Sequence, residues 1–426
     1  MDAVNDYIAD FARFITASPS SYHAAAEVAR RLDTAGFQRL DEEAAWDETS
    51  GGRYIVRDGA VIAWLQPAAS APSTPFRILG AHTDSPAFKL KPSPTTGHLG
   101  WLQAGVEVYG GPLLNSWLDR ELELAGRLAL RDGTEIVVRT GPFLRIPQLA
   151  IHLERGANEG LTLDRQRHVQ PVWGIGNARE ADLLAHIAAF AGVDRDDIAG
   201  YDLLTADTHV PERFGLDGAF FAAGRMDNLT SVYAGLVALL EAHRSGADAD
   251  HISVLAAFDH EELGSQSRSG ASGPILDDVL TRIGEGLGAT RSQQKQAYAA
   301  SWCLSADAGH AVHPNYSEKH DAANHPFAGE GVLLKINANQ RYATDAAGAA
   351  LVARLSASAA APYQEFVSNN TVPCGSTIGP LTATRLGIRT VDVGVPLLSM
   401  HSAREMVHVD DASALAGLST AFFAGA

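Results

Sequence analysis

Cysteine is nearly absent from this chain of 426 residues, which contains only Cys303 and Cys374. The two cysteines are far apart in sequence, so they provide neither a disulfide framework nor a cysteine-rich zinc site. A chain that does not rely on disulfides is typical of a reducing compartment. We therefore expect a cytoplasmic protein.

Positive charge and long apolar runs are also scarce. Lys and Arg total 33 against 50 Asp and Glu, which gives a formal net charge of -17. Because nucleic acids and anionic membranes are usually bound by basic surfaces, we expect neither as a partner. No apolar run approaches membrane-spanning length. The amino terminus is acidic, unlike a secretory signal, and it carries apolar residues at helical spacing: Val4, Tyr7, Ile8, Phe11 and Phe14.

The chain does have enough apolar sequence for two domains, since 46% of its residues are apolar and its length exceeds one ordinary core. In the middle of the sequence, the pattern changes to short strand-like runs that are separated by Gly-Gly-Pro and Gly-Pro turns. We predict an α/β fold with a mixed-sheet catalytic domain formed by residues 1–91 and 215–426. Residues 92–214 are predicted to form an inserted, β-rich domain.

The most informative segment spans residues 252–264. An apolar run, typical of a strand buried on both faces, ends there in two adjacent carboxylates, Glu261 and Glu262, and then a glycine. In open α/β sheets, chemistry gathers just beyond the carboxyl ends of the strands. Two glutamates at that place would repel each other unless a cation held one. We expect one to bind metal and the other to handle the proton of a metal-bound water.

Other ligand-type side chains follow predicted strands or begin predicted helices. Together with Glu262 they form a set of two histidines and three carboxylates: His82, Asp227, Glu262, Asp307 and His401. Such a set suits two Zn²⁺ ions, or Mn²⁺ or Co²⁺ under different metal availability, with Asp227 as the bridging candidate. Asp84 is placed to accept the second ring N–H of His82. Any one of these residues alone would more simply be a cap or a solvated loop residue, so the prediction depends on the whole set.

Six separated blocks resemble the aspartyl aminopeptidase family of dinuclear metallopeptidases, over nearly the whole length. The blocks are HTDSP at 82–86, RMDNL at 225–229, DHEELGS at 259–265, HAVHPN at 310–315, KINANQRY at 335–342 and MHS at 400–402. The resemblance implies one ion on His82 and Asp307 and the other on Glu262 and His401. It also implies that Asp227 bridges the ions and that Glu261 is the general base and acid.

The resemblance further implies that Lys335 and Tyr342 favour an acidic side chain at the first residue of the substrate. A buried ammonium with a phenol donor is a sensible receptor for a carboxylate. Without the family, Lys335 would be interpreted as a solvated lysine at a strand end. Two departures from the family pattern touch no ligand: Glu121 replaces an Asp, and the small Ala308-Gly309 pair follows Asp307, which affects substrate preference rather than reaction type.

His152 matches a family histidine that the inserted domain lends to the active site of a neighbouring subunit, although a core or interface histidine would fit it equally. The family resemblance implies dimerisation through the inserted domain and a homo-oligomer, a dodecamer built from dimers. Four polar residues after Asp307 either line the substrate channel or form scaffold turns: His310, His313, Asn315 and Lys319.

These observations predict a metal-dependent aminopeptidase that releases amino-terminal residues, preferentially Asp or Glu, from peptides by attack of a metal-bridging water. One alternative is a neutral or broad-specificity aminopeptidase of the same family. A metal-dependent deacylase, which needs no free amine, is a second. A non-catalytic scaffold is a third, but it has no physical need for Glu261 and a complete ligand set.

Overall fold

The structure, a computed structural model, describes residues 2–46, 50–246 and 249–425. Its helices, in chain order, are α1 (Asp2–Ala17), α2 (Ser21–Thr34), α3 (Leu183–Ala191), α4 (Met226–Ser245), α5 (Ile275–Gly286), α6 (Arg291–Ala300), α7 (Ala346–Ala359), α8 (Ile378–Leu386) and α9 (Val409–Phe423). None of these helices is both long and apolar enough to cross a membrane.

The strands, in chain order, are β1 (Gln38–Arg39), β2 (Gly51–Arg57), β3 (Ala60–Gln66), β4 (Phe76–His82), β5 (Ala87–His98), β6 (Trp101–Tyr109), β7 (Glu121–Leu130), β8 (Glu135–Arg139), β9 (Leu144–Arg145), β10 (Val172–Ile175), β11 (Ile198–Asp207), β12 (Glu212–Phe214), β13 (Phe220–Ala223), β14 (Ile252–Phe258), β15 (Trp302–Ala306), β16 (Gly309–His310), β17 (Val332–Ile336), β18 (Tyr363–Val367), β19 (Arg389–Gly394), β20 (Pro396–Leu398) and β21 (Glu405–His408).

A nine-stranded mixed sheet forms the centre of the molecule, in the order β1-β2-β3-β14-β4-β15-β19-β17-β18. Strands β14, β4, β15 and β19 run parallel to one another, whereas β3 and β17 pair antiparallel with their inner neighbours. Every residue of β14 is buried, because helices cover both faces of the sheet. The predicted α/β fold with a mixed sheet is confirmed.

The two faces of this sheet have different helical covers. Helices α1, α2, α4, α7 and α9 pack on one face around a core that includes Phe11, Leu236 and Phe422. Helices α5, α6 and α8 pack on the other face around Ile275 and Ile378. The α4 helix lies so close to the sheet that a Cβ on Gly235 would come within 2.7 Å of side-chain atoms of Leu79 and Leu255.

A second, seven-stranded sheet has the order β11-β5-β6-β10-β9-β7-β8 and packs with α3 around its own core. It is built from strands that lie between Ala87 and Asp207. A third, five-stranded sheet, β12-β13-β21-β20-β16, lies beside the main sheet. The assignment of residues 92–214 to a separate inserted domain stays a prediction.

Candidate active site

The ligand-type side chains gather where parallel strands of the main sheet end. His82 is the last residue of β4, and Asp307 follows β15 directly. Glu261 and Glu262 lie in a short 3-10 turn just after β14. Because β14, β4 and β15 are adjacent and parallel, their carboxyl ends bring these residues to one edge.

Two further residues complete the cluster from outside the sheet. Asp227 lies in the first turn of α4, and His401 lies in the turn between β20 and β21. His82 Nε2 is 3.3 Å from Asp227 Oδ1 and 3.4 Å from Asp307 Oδ1. On the other side, His401 Nε2 is 3.4 Å from Asp227 Oδ2 and 3.5 Å from Glu262 Oε2. The two oxygens of Asp227 therefore face two separate sets of possible metal ligands.

The donor atoms of these groups are close enough to share a cation. In the triad His82, Asp227 and Asp307, and again in the triad Asp227, Glu262 and His401, all ligand atoms lie within 4.8 Å of one another. Two buried oxygens, Asp227 Oδ1 and Glu262 Oε1, have no hydrogen-bond partner. Burial and the charge of Asp227 raise the pKa of Glu262 well above its usual range. A buried, under-satisfied set of carboxylates and imidazoles fits a divalent cation of the zinc type.

Backbone carbonyls orient both histidines. His82 Nδ1 lies 3.0 Å from the carbonyl oxygen of Asp84, and His401 Nδ1 lies 3.0 Å from that of Gly111. Each contact places a ring proton on Nδ1, so Nε2 is the nitrogen that a cation in the cluster would meet. The side chain of Asp84 is slightly farther from His82, with Oδ1 at 3.4 Å from Nδ1.

Asp84 also holds the turn that carries the two glutamates. Its Oδ1 accepts a hydrogen bond from the backbone N–H of Glu261 at 3.0 Å, and its Oδ2 accepts one from Glu262 at 3.1 Å. The Glu261 side chain remains partly exposed, with Oε2 at 4.0 Å from His82 Nε2. Burial, followed by the nearby aspartates, raises the pKa of Glu261 to about 7.

Three contributors to this site were not predicted from sequence. The Tyr109 hydroxyl donates to Asp84 Oδ2 at 3.0 Å. Gly111 supplies the carbonyl that orients His401. Glu405 is buried, and its two oxygens accept hydrogen bonds from the backbone N–H groups of Asp227 and His401, both at 3.0 Å. The Gly-Gly-Pro turn at 110–112 was recognised as a turn, but no local signal places it beside His401.

Comparisons with known proteins identify the family of this chain. Residues 14–423 match the family model described as aminopeptidase I zinc metalloprotease (M18). A probable M18 family aminopeptidase 2 of Streptomyces avermitilis is 54% identical over 419 residues, which cover 98% of this chain and 97% of that protein. The chain belongs to the M18 family. A relative of the same description in Pseudomonas aeruginosa (strain UCBPP-PA14) is 43% identical and covers 96% of both chains.

Solved structures of M18 enzymes and their complexes share the fold. A cryo-EM structure of the Ape4 and Nbr1 complex matches with a TM-score of 0.95 and 36% identity, covering 99% of this chain and 86% of that one. The structure of the S. cerevisiae mApe1 dodecamer matches with a TM-score of 0.86 and 28% identity, covering 99% and 97%. This protein is thus a zinc aminopeptidase of the M18 family, and the family prediction is confirmed.

In this M18 aminopeptidase the five predicted ligands and Glu261, which we call the metal-type cluster, open into a cleft of about 300 Å³. Lys335, Tyr342, Phe366 and Cys374 also line this cleft. Lys335 is buried, and its Nζ donates to the carbonyl of Ala308 at 2.7 Å. The same Nζ is 3.7 Å from Asp307 Oδ2 and 5.3 Å from the centre of the Tyr342 ring. The structure therefore brings both predicted specificity residues to the cleft.

His152 is the one predicted site residue that the M18 chain does not bring to the cluster. It lies exposed in a turn at 151–153 and is not among the described residues that line the cleft. Large apolar side chains beside it are also exposed: Leu149, Ile151 and Leu153.

Proposed function

We propose that this M18 aminopeptidase uses two divalent ions to release amino-terminal residues from short peptides, with a preference for Asp or Glu. The observation that carries the proposal is that Asp227 turns one oxygen toward each of two donor sets. The first set contains His82 and the second contains His401. A single ion would leave one of these sets as a buried group of unpaired charges.

His82 and Asp307 would hold one ion, Glu262 and His401 the other, and Asp227 would contribute an oxygen to each. Zinc is the expected metal, and Mn²⁺ or Co²⁺ would suit the same donors. When bound, the ions supply Lewis acidity at the scissile carbonyl and lower the pKa of water.

Glu261 is the general base and acid in this proposal. Its backbone is fixed by Asp84, and its partly exposed carboxylate faces the cleft next to His82. It takes a proton from the attacking water and then passes that proton to the amine of the leaving peptide. Glu262, its neighbour, is turned toward His401 instead and remains a ligand.

Lys335 and Tyr342 would set the preference for an acidic first residue. Water does not compete for the hydrogen bonds of a buried ammonium beside a phenol, so its bonds to a carboxylate are strong. One observation favours a second candidate, a neutral or broad-specificity aminopeptidase. Lys335 already donates to Ala308 and lies near Asp307, so part of its charge is compensated before substrate arrives.

The proposal includes a homo-oligomer, a dodecamer built from dimers. The mApe1 structure is a dodecamer, and exposed apolar residues surround His152 in this chain. An exposed loop with large apolar side chains is typical of an interface. We propose that this loop carries His152 into the active site of a neighbouring subunit.

The deciding experiment combines metal analysis with a panel of peptides that differ only in their first residue. Two ions per chain, together with faster turnover of Asp and Glu peptides than of Leu peptides, would support the proposal. Equal turnover of all three would favour the broad-specificity enzyme. Cleavage of peptides whose amino terminus is blocked by an acyl group would favour a deacylase, because the free amine would then be unnecessary.

A further inference from the structure

The cleft of this protein carries charge of both signs. Four carboxylates lie at the metal-type cluster, whereas the ammonium of Lys319 and the imidazoles of His310 and His320 line the same cleft without belonging to that cluster. The recessed position of His310 and the charge of Lys335 lower its pKa.

The segment that carries Lys319 is held firmly in the cleft wall. Residues Ser317–Lys319 form a 3-10 turn. The Asn369 side-chain amide donates to the carbonyls of Glu318 at 3.1 Å and His320 at 3.3 Å, one on each side of Lys319. His320 also forms a β-bridge with Ser368. The backbone that carries Lys319 is therefore held against Ser368 and Asn369, which line the same cleft.

Lys319 has no carboxylate partner in the described part of the chain, where neither an ion pair nor a side-chain hydrogen bond involves its ammonium. Lys335, the other lysine of the cleft, is by contrast close to Asp307. The protein as a whole has a net charge of -17. An exposed cation without a partner, inside the substrate cleft of so acidic a chain, leaves a local positive field.

We propose that Lys319, assisted by His320 and His310, binds a carboxylate on the part of the peptide that follows the scissile bond. This inference rests on the proposed aminopeptidase function. A short peptide has its ammonium at the first residue and its free carboxylate at the last, and this cleft is lined both by the carboxylates of the cluster and by the ammonium of Lys319. An extended chain rises about 3.3 Å per residue, so a second or third residue reaches well past the scissile carbonyl.

The carboxylate can come from two sources that share this chemistry: the free carboxyl terminus of a di- or tripeptide, or an acidic side chain at the second position. In either case the substrates are short and acidic beyond their first residue. Lys319 then determines which leaving part is accepted, while the region around Lys335 determines which first residue is released.

The test uses the full-length protein and two substitutions, Lys319→Met, which keeps the length of the side chain, and Lys319→Arg, which keeps its charge. Substrates are Asp-Ala, Asp-Ala amide and Asp-Glu amide, with kcat and KM measured for each. We expect Lys319→Met to lower kcat/KM for Asp-Ala roughly tenfold, through KM, as loss of one charge-assisted hydrogen bond would. Asp-Ala amide should be unaffected, and Lys319→Arg should restore Asp-Ala.

The Asp-Glu amide identifies the source of the carboxylate. If Lys319→Met impairs only Asp-Ala, the site accepts the terminus; if it impairs only the Asp-Glu amide, the site accepts a side chain; if it impairs both, the site accepts either. Lys295→Met is the matched control, because Lys295 is exposed on α6, outside the cleft. An equal fall for all three peptides, or no effect on any peptide, would overturn the inference.

A binding measurement separates this inference from the proposed function. Asp-Ala, its amide and the Asp-Glu amide are titrated calorimetrically into Glu261→Gln and into the double variant Glu261→Gln, Lys319→Met. Tighter binding of the acid than of the amide, lost in the double variant, supports the inference even if the unmodified protein cleaves no peptide. Equal binding of acid and amide to both variants, with no loss of affinity for the Asp-Glu amide in the double variant, refutes it, whatever the turnover.

Discussion

The hydroxyl of Tyr109 donates to Asp84 Oδ2, which also accepts the backbone N–H of Glu262. Tyr109 ends strand β6 of the seven-stranded sheet, whereas Asp84 and Glu262 belong to the loops of the main sheet. The second sheet therefore takes part in positioning the turn that carries Glu261 and Glu262 within the same chain. The following residue, Gly110, has φ +70°, and a Cβ there would lie 3.1 Å from Glu262 Cβ.

Replacing Tyr109 by Phe keeps the ring and removes this hydrogen bond. We expect kcat to fall about 10-fold to 100-fold, as is typical when an outer partner of a metal site is lost, with KM little changed. Steady-state kinetics and metal analysis would measure this. Tyr201→Phe is the control, because among the described residues its hydroxyl donates to the carbonyl of Lys91 in the same sheet and not to the site. A fall in thermal stability with kcat unchanged would contradict a positioning role.

Glu261→Gln and Glu262→Gln should have different effects although the residues are adjacent. Loss of the general base should lower kcat by roughly 10² to 10⁴ while the metal content stays constant. Loss of the Glu262 carboxylate should lower the metal content itself, because it supplies a donor beside His401. Elemental analysis of both variants, alongside kinetics, checks this. Metal loss in the Glu261 variant would mean that the two roles are not separate.

Lys335→Met should reduce the preference for acidic substrates selectively. We expect kcat/KM for an Asp peptide to fall about 100-fold, on the order of one strong charge-assisted contact, while a Leu peptide changes little. The measurement is the ratio of the two values in the variant and in the unmodified protein. An equal fall for both peptides would show that Lys335 acts instead through Asp307, 3.7 Å from its Nζ.

His23 should make the stability of the protein depend on pH. Burial lowers the pKa of this imidazole to about 4, below the value of about 6.5 in an unfolded chain. Between those values the folded state binds fewer protons, so the free energy of unfolding decreases as the pH falls from about 6.5 to about 4. The loss should be roughly 3 kcal/mol.

His23→Gln should remove that component. Denaturant unfolding at several pH values between 7 and 4.5 would show a shallower dependence in the variant than in the unmodified protein. His98→Gln, at an exposed histidine of β5, serves as the control. Parallel curves for the unmodified protein and the His23 variant would contradict the expectation.

The central strands and their ligands could be predicted because both have local signals. The run at 302–306 is β15, and Asp307 follows it as expected. The second carboxylate after β14 and the histidine that ends β4 were predicted in the same way. Buried parallel strands are recognisable from composition alone, and their ends meet as a geometric consequence of pairing.

The partners that orient those ligands could not be predicted, because long-range packing places them. Glu405 is four residues after His401, yet nothing in the sequence indicates that it also contacts Asp227, 178 positions away along the chain. The ring proton of His82 meets the Asp84 carbonyl more closely than the predicted Asp84 carboxylate. No sequence signal distinguishes Tyr109 from other aromatic residues at the ends of strands.

The donor groups of the cluster are spread along the chain from His82 to His401. An unfolded polypeptide keeps them far apart and offers no comparable binding place. Free zinc is therefore a reactant in the folding equilibrium, and the native population increases with zinc concentration above the dissociation constant. In a cell depleted of zinc, the amount of this protein would therefore fall through unfolding and proteolysis, in addition to the loss of its activity.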